Sequence, residues 1–123
     1  MRPVPFSYEK KKGIMEKTVL GRQGEILARL FLEKRGQRYR ESNYRRRGGE
    51  IDIVMEDGES IVFVEVKTRY SRRYGEPAEA ITAVKQKHIR YCAVLYIAEH
   101  GLHARPVRFD VVEVMMKHGE KPR

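Results

Sequence analysis

The sequence predicts a single α/β domain, with a central mixed β-sheet flanked by helices. Three observations carry this. A stretch of helical period opens the ordered part of the chain. Three short strand-like runs follow it, the first weakly patterned, the second alternating and the third rich in β-branched and aromatic residues. A second helical stretch then separates these runs from one last apolar run. The chain has 123 residues, a length that fits one domain. No internal repeat, low-complexity tract or linker divides it.

The elements can be taken in order. Residues 1–17 show no sustained period, and Pro3, Pro5 and the Lys10–Lys12 run read as a flexible basic N-terminal arm. No apolar segment follows these charges, so the arm is not expected to be a secretory signal. A helix is predicted from about Thr18 to just before Gly36, a suitable C-terminal glycine. Leu20, Leu27, Leu30 and Phe31 fall on one side of it, with Gly21, Gly24 and Ala28 at the flank. Glycine inside a helix costs ~1 kcal/mol against alanine, so close approach to a neighbouring element is expected there. Glu25 sits at the border of the apolar side.

Gln37–Asn43 is the first predicted strand, followed by a basic turn, Arg45-Arg46-Arg47-Gly48-Gly49. Glu50–Glu56 alternates, with Ile51, Ile53 and Met55 on one face and Glu50, Asp52, Val54 and Glu56 on the other. Asp57-Gly58 is a hairpin signal, and Ile61–Thr68 is the next strand. A loop covers Tyr70–Gly75. The second helix is expected over Thr82–Glu99, ending at Gly101, with Val84, His88, Cys92 and Leu95 on its core side beside Ile89 and Tyr96. Val107–Val114 is the last strand. The domain is thus placed at residues 18–115, with a tail at 116–123.

Composition narrows the function. There is one cysteine, Cys92, and no tryptophan, which excludes a disulfide framework and makes a reducing, cytoplasmic setting the expectation. Nothing has zinc-site spacing, and no apolar stretch reaches the ~18 residues of a membrane span. Lysine and arginine number 26 against 17 acidic residues, a net charge of +9. Such a surface attracts polyanions, nucleic acid first and an anionic membrane second; nucleic acid, and no membrane, is the partner expected. Arg45, Arg46, Arg47, Arg69, Arg72 and Arg73, with Tyr44, Tyr70 and Tyr74 among them, suit contacts to a nucleic-acid backbone with aromatic stacking. A solvated basic loop is the plainer alternative.

The hairpin gathers acids. With Asp57-Gly58 as a two-residue loop, Glu50 faces Glu65, Asp52 faces Phe63 and Val54 faces Ile61. Glu50, Asp52, Glu65 and Lys67 then share one sheet face. An odd loop would shift the register by one. Like charges across a strand pair are destabilising, and a hard divalent cation would remove the repulsion. Mg²⁺ typically takes one or two carboxylates plus water and phosphate, which suits Asp52 and Glu65, with Lys67 beside them to orient water or stabilise charge.

Gly49-Glu50-Ile51-Asp52 with Glu65-Val66-Lys67 resembles the motif of the PD-(D/E)xK nucleases, which include archaeal Holliday-junction resolvases and type II restriction enzymes. The sequence is more similar still to the YraN-like family of small bacterial proteins, predicted to be endonuclease-like. The likeness rests on Gly21-x-x-Gly24-Glu25, Asn43-Tyr44, Gly49–Asp52 and Val62–Arg69. It continues through Gly75-x-Pro77, Lys85-Gln86 and Arg108–Val111, and spans about Leu20 to Val114. The resemblance implies a restriction-endonuclease-like fold. It also implies metal ligation by Asp52, Glu65 and the Val66 carbonyl, a catalytic Lys67, and Glu25 as a helix-borne glutamate near the metal. Gln86 matches a glutamine that some relatives carry, but Arg90 stands where RecB-like exonucleases have a tyrosine. Ile51 precedes Asp52, as in the resolvase-like branch.

The expectation is therefore a nuclease dependent on Mg²⁺ or Mn²⁺ that hydrolyses phosphodiester bonds in DNA, structure-specific in the manner of a resolvase. Symmetric cleavage of two strands would suit a homodimer. The alternative is a non-catalytic nucleic-acid-binding module on the same fold, and a weaker one is an RNA- or ribosome-associated protein.

Overall fold

A computed structural model describes the chain over residues 3–9, 17–69 and 81–117. The elements are β1 (Pro3–Glu9), α1 (Lys17–Lys34), β2 (Arg38–Arg46), β3 (Gly49–Asp57), β4 (Ser60–Arg69), α2 (Ala83–His100) and β5 (Val107–Lys117). They form one five-stranded sheet in the order β1-β5-β4-β3-β2. β1, β5 and β4 run parallel, and β3 and β2 are antiparallel to their neighbours, so the sheet is mixed as predicted.

Helix α1 covers one face. Ala28 and Leu32 pack with Ile53, Met55, Val62, Val64, Val112, Val114 and Met116. Helix α2 covers the other through Ile89, Cys92, Ala93 and Tyr96, which meet Tyr44, Ile51, Val54, Ile61 and Phe63. Burial on both faces explains why β4 reads as a continuous apolar run. Thr82 caps α2, its side chain accepting from the Lys85 N–H at 3.1 Å, and Gly101 ends it in the left-handed conformation at φ 64°.

Several expectations need correction. Pro3–Glu9 belongs to a strand, parallel to β5, rather than to a structureless arm. β1 lies at the sheet edge, where one ladder suffices. Pro3 and Pro5 are two apart, so their missing donors fall on the same side, which an edge strand tolerates. Leu30 is exposed on α1, as are Val84 and His88 on α2. Both helices turn a narrower stripe to the sheet than the apolar count suggests. β2 runs on through Arg45 and Arg46, which pair with Glu50 and Gly49, so the basic turn shrinks to Arg47-Gly48.

Gly24 shows why α1 carries a glycine there. A Cβ at that position would overlap Thr68 Oγ1. At Gly49 a Cβ would come within 3.0 Å of the His88 carbonyl oxygen and 3.1 Å of Cys92 Sγ. These two close approaches bring both helices down onto the same end of the β3–β4 hairpin.

Candidate functional site

The hairpin register differs from the expected one by an even step. Asp57 pairs with Ser60, Val54 with Phe63 and Ile53 with Val64, so the turn residues are Gly58 and Glu59. Gly58 supplies the positive φ, 61°, at the first turn position. An even displacement preserves which side chains share a face, so Asp52 and Glu65 stay together and now stand closer than predicted.

The β3–β4 pairing runs no further than Ile53–Val64. Past it a side chain takes over from the ladder, as the Val66 N–H donates to Asp52 Oδ2 at 2.8 Å. On the other side of β3, Asn43 adopts φ 55°, a left-handed conformation that asparagine accepts more readily than most residues. There the strand faces change over. Ile53 packs on the α1 side, while Ile51 and its partner Tyr44 pack on the α2 side. Asp52 lies at this irregularity, and the strands part around it.

A cleft of about 300 Å³ opens at the parting, lined by Gly21 and Glu25 of α1, Asp52 of β3, Glu65 to Thr68 of β4, and Lys85 of α2. The structure thus brings Asp52, Glu65, Lys67 and Glu25 into one place, with the Val66 backbone. Glu65 is 6% exposed. The Asp52 carboxyl hydrogen-bonds to it and is pushed up to about 9, by burial first and then by the Glu65 contact and charge, against the opposing Val66 N–H. Burial also raises Glu25, whose side chain hydrogen-bonds to Asn43. Glu25 and Asn43 border a second hollow beside α1, with Arg22, Ile26, Arg29 and Ser42.

Sequence reasoning missed the role of position 85. Lys85 Nζ lies 3.2 Å from Glu65 Oε2. Burial disfavours its charge, but Glu65, Asp52 and Glu50 outweigh this and raise its pKa. The available signal was Thr82, an N-cap residue that places Lys85 in the first turn of α2 just past the end of β4. Gln86 turns back to the chain, its Nε2 donating to the Ile81 carbonyl at 2.9 Å.

The arginine cluster divides. Arg45 reaches Glu50 at 3.3 Å from an exposed position. Arg46 is engaged with Glu99 through Nε at 3.1 Å and Nη2 at 2.8 Å, and lies over the Tyr44 ring. Arg47 is exposed in the turn. Arg69 lies 3.9 Å from buried Glu113. Tyr44 is corrected outright. It is 1% exposed, its hydroxyl donates to Glu99 at 2.9 Å, and its ring meets Tyr96 edge-on, so it cannot stack on a base. The face change at Asn43 is what turns it inward. Arg72, Arg73, Tyr70, Tyr74 and Gly75-x-Pro77 lie outside the described residues.

Among the described residues no three His, Cys, Asp or Glu side chains converge as a metal-holding group. The donor set nonetheless fits a hard cation of the Mg²⁺ kind, which binds through one or two carboxylates and keeps several waters. Asp52 and Glu65 supply that pair in an open cleft.

Residues 24–114 match the model of the uncharacterised protein family UPF0102. The chain belongs to this family. A UPF0102 protein of Renibacterium salmoninarum is 50% identical over 107 residues, covering 87% of this chain and 91% of the relative. One from Symbiobacterium thermophilum is 52% identical over 95 residues, 77% and 80% of the two chains. One from Rhodococcus jostii is 46% identical over 104 residues, 85% and 88%. An endonuclease-like fold is a general property of UPF0102 proteins, and the mixed sheet with a helix on each face agrees with it. The matched span includes every residue of the cleft from Glu25 to Lys85. Among the described residues no helix is long and apolar enough to cross a membrane.

Proposed function

We propose that this UPF0102 protein is a metal-dependent nuclease that hydrolyses phosphodiester bonds in DNA, with branched or otherwise non-B structures as its substrates. The observation that carries the reading is the Asp52–Glu65 pair, two carboxyl groups held in contact beside Lys67 and Lys85 in an open cleft. A fold gains nothing in stability from such crowding, and displaced titration in a cleft marks functional groups. Asp52 and Glu65 would hold Mg²⁺ or Mn²⁺, with the Val66 backbone at hand. A bound ion supplies an activated water and a Lewis acid for a phosphate oxygen.

The remaining work falls to the chain itself. Lys67 stands beside the pair, where its ammonium stabilises charge that grows on the phosphate. Glu25, tied to Asn43, faces the cleft from α1 and orients a water. Arg45 and Arg47, both exposed, contact the nucleic-acid backbone on either side of the break. The same reading places the protein in the cytoplasm, acting on DNA as a homodimer.

The test is incubation of purified protein with linear, single-stranded and branched DNAs plus Mg²⁺ or Mn²⁺, beside the Asp52→Asn and Lys67→Ala variants. Cleavage of a branched substrate that both substitutions abolish is the expected result. A second reading, a binding module without cleavage, draws on the lack of a third converging ligand among the described residues. Tight DNA binding with no cleavage by the wild type under either ion would select it.

A further inference from the structure

The carboxylate pair already has a cation, and that cation comes from the chain. Lys85 Nζ sits 3.2 Å from Glu65 Oε2. Its position is built in from two sides. The Thr82 cap fixes the first turn of α2, and the close approach at Gly49 sets the helix against β3. Glu65 is buried, so the cleft is the side from which a cation reaches it. The Lys85 side chain is about half exposed (48%), which leaves it room to swing away.

We propose that Lys85 competes with the divalent cation for Glu65, so that metal uptake by the cleft requires the lysine to leave the carboxylate. This rests on the metal-binding reading above. An ammonium is a compact point charge on a flexible stem. A divalent ion instead needs the oxygen lone pairs themselves, at far shorter range. Both cations on one buried carboxylate would repel each other strongly. Lys85 therefore sets a threshold: it neutralises Glu65 until a metal displaces it. Once displaced, it stands at the mouth of the cleft, where a phosphate oxygen is its natural next partner. Lys67 has a different place. It lies on β4 itself, and among the described residues its amine is not ion-paired to Asp52 or Glu65 as that of Lys85 is to Glu65.

Calorimetric titration with Mn²⁺ tests this on the full chain. The wild type is compared with Lys85→Met, Lys85→Arg and Lys87→Met, with thermal melts to verify folding. Lys85→Met keeps the length and removes the charge, and should tighten Mn²⁺ binding roughly tenfold. Lys85→Arg should retain the wild-type affinity. Lys87→Met removes one charge from an exposed position on the same helix, and should stay within about twofold of the wild type. Unchanged or weaker binding by a folded Lys85→Met overturns the competition while leaving the nuclease reading to its own assay. An equal gain in both methionine variants also overturns it, because general charge would then be the cause. Tighter binding confined to Lys85→Met, in a protein that cleaves nothing, supports the competition and removes the nuclease reading. Absence of Mn²⁺ binding in all four proteins overturns both.

Discussion

The β3–β4 hairpin carries acids at both ends and treats them in opposite ways. Near the turn, Glu56 accepts from Arg105 Nη2 at 2.6 Å, with Arg40 and Arg38 at 3.5 and 3.7 Å. Asp57 pairs with Arg108 at 2.9 Å. The Arg105 hydrogen bond, ahead of the other guanidinium charges, holds Glu56 below its ordinary range. At the far end Asp52 and Glu65 press against each other, with Lys85 ion-paired to Glu65, and burial raises Asp52. Two strands and similar side chains therefore give a neutralised end and a crowded end. The neutralised end shows what this fold does with acids it needs only for structure. The crowded end departs from that pattern, in the cleft where α1, β3, β4 and α2 meet.

The largest expected effect lies at the crowded end. Asp52→Ala or Glu65→Ala should lower cleavage by more than the ~10–100-fold typical of groups one step removed from a metal. Glu56→Gln should leave the rate per folded molecule unchanged. Next come the two glycines. Gly49→Ala should cost about 1–3 kcal/mol in a denaturant melt, because the His88 backbone cannot yield easily, and should disturb the cleft through α2. Gly58→Ala should cost about 1–2 kcal/mol through its positive φ alone, with the cleft intact.

Stability should then move in opposite directions for the two acids. Asp52→Asn mimics the protonated group and should gain about 1 kcal/mol at neutral pH in a chelator. The wild type holds that proton in the fold and releases it when unfolded, so it loses stability as pH rises from about 4 towards 9. The gain should accordingly vanish near pH 4. Glu56→Gln should lose about 1 kcal/mol at neutral pH. A lowered pKa stabilises above the unfolded value and fades as pH falls, so this loss should also shrink in acid. Parallel thermal melts against pH would expose any failure of the opposition. The smallest effects concern the basic surface. Arg47→Glu should weaken DNA binding alike for all sequences and reduce the salt slope by about 1. Tyr44→Phe should leave binding unchanged while costing about 0.5–1.5 kcal/mol of stability.

Much of the fold was legible because its signals are local. Thr82 and Gly101 mark α2 by their chemistry, and the alternation of β3 marks its faces. The gathering of Asp52, Glu65 and Lys67 in one cleft followed from parity, which survived the wrong choice of turn residues because the error was even. Three features were not legible. β1 has no side-chain period, since its place depends on a ladder with β5, over a hundred residues away in sequence. Tyr44 looked like a surface aromatic among arginines, and only the backbone conformation of Asn43 sends it inward. Lys85 is one lysine among many; Thr82 places it in the first turn of α2, but nothing local names Glu65 as its partner. Its partner is set by how deeply α2 settles at Gly49.

The hydrogen bond from Val66 to Asp52 has a spectroscopic consequence. An amide bonded to a neighbouring strand senses a neutral carbonyl, whatever happens nearby. This amide senses a carboxyl group whose charge changes with its proton or with any cation it takes up. In a nitrogen–proton correlation spectrum, the Val66 resonance would therefore act as a resident gauge of Asp52. It would record what occupies the cleft without a substrate, a label or a turnover.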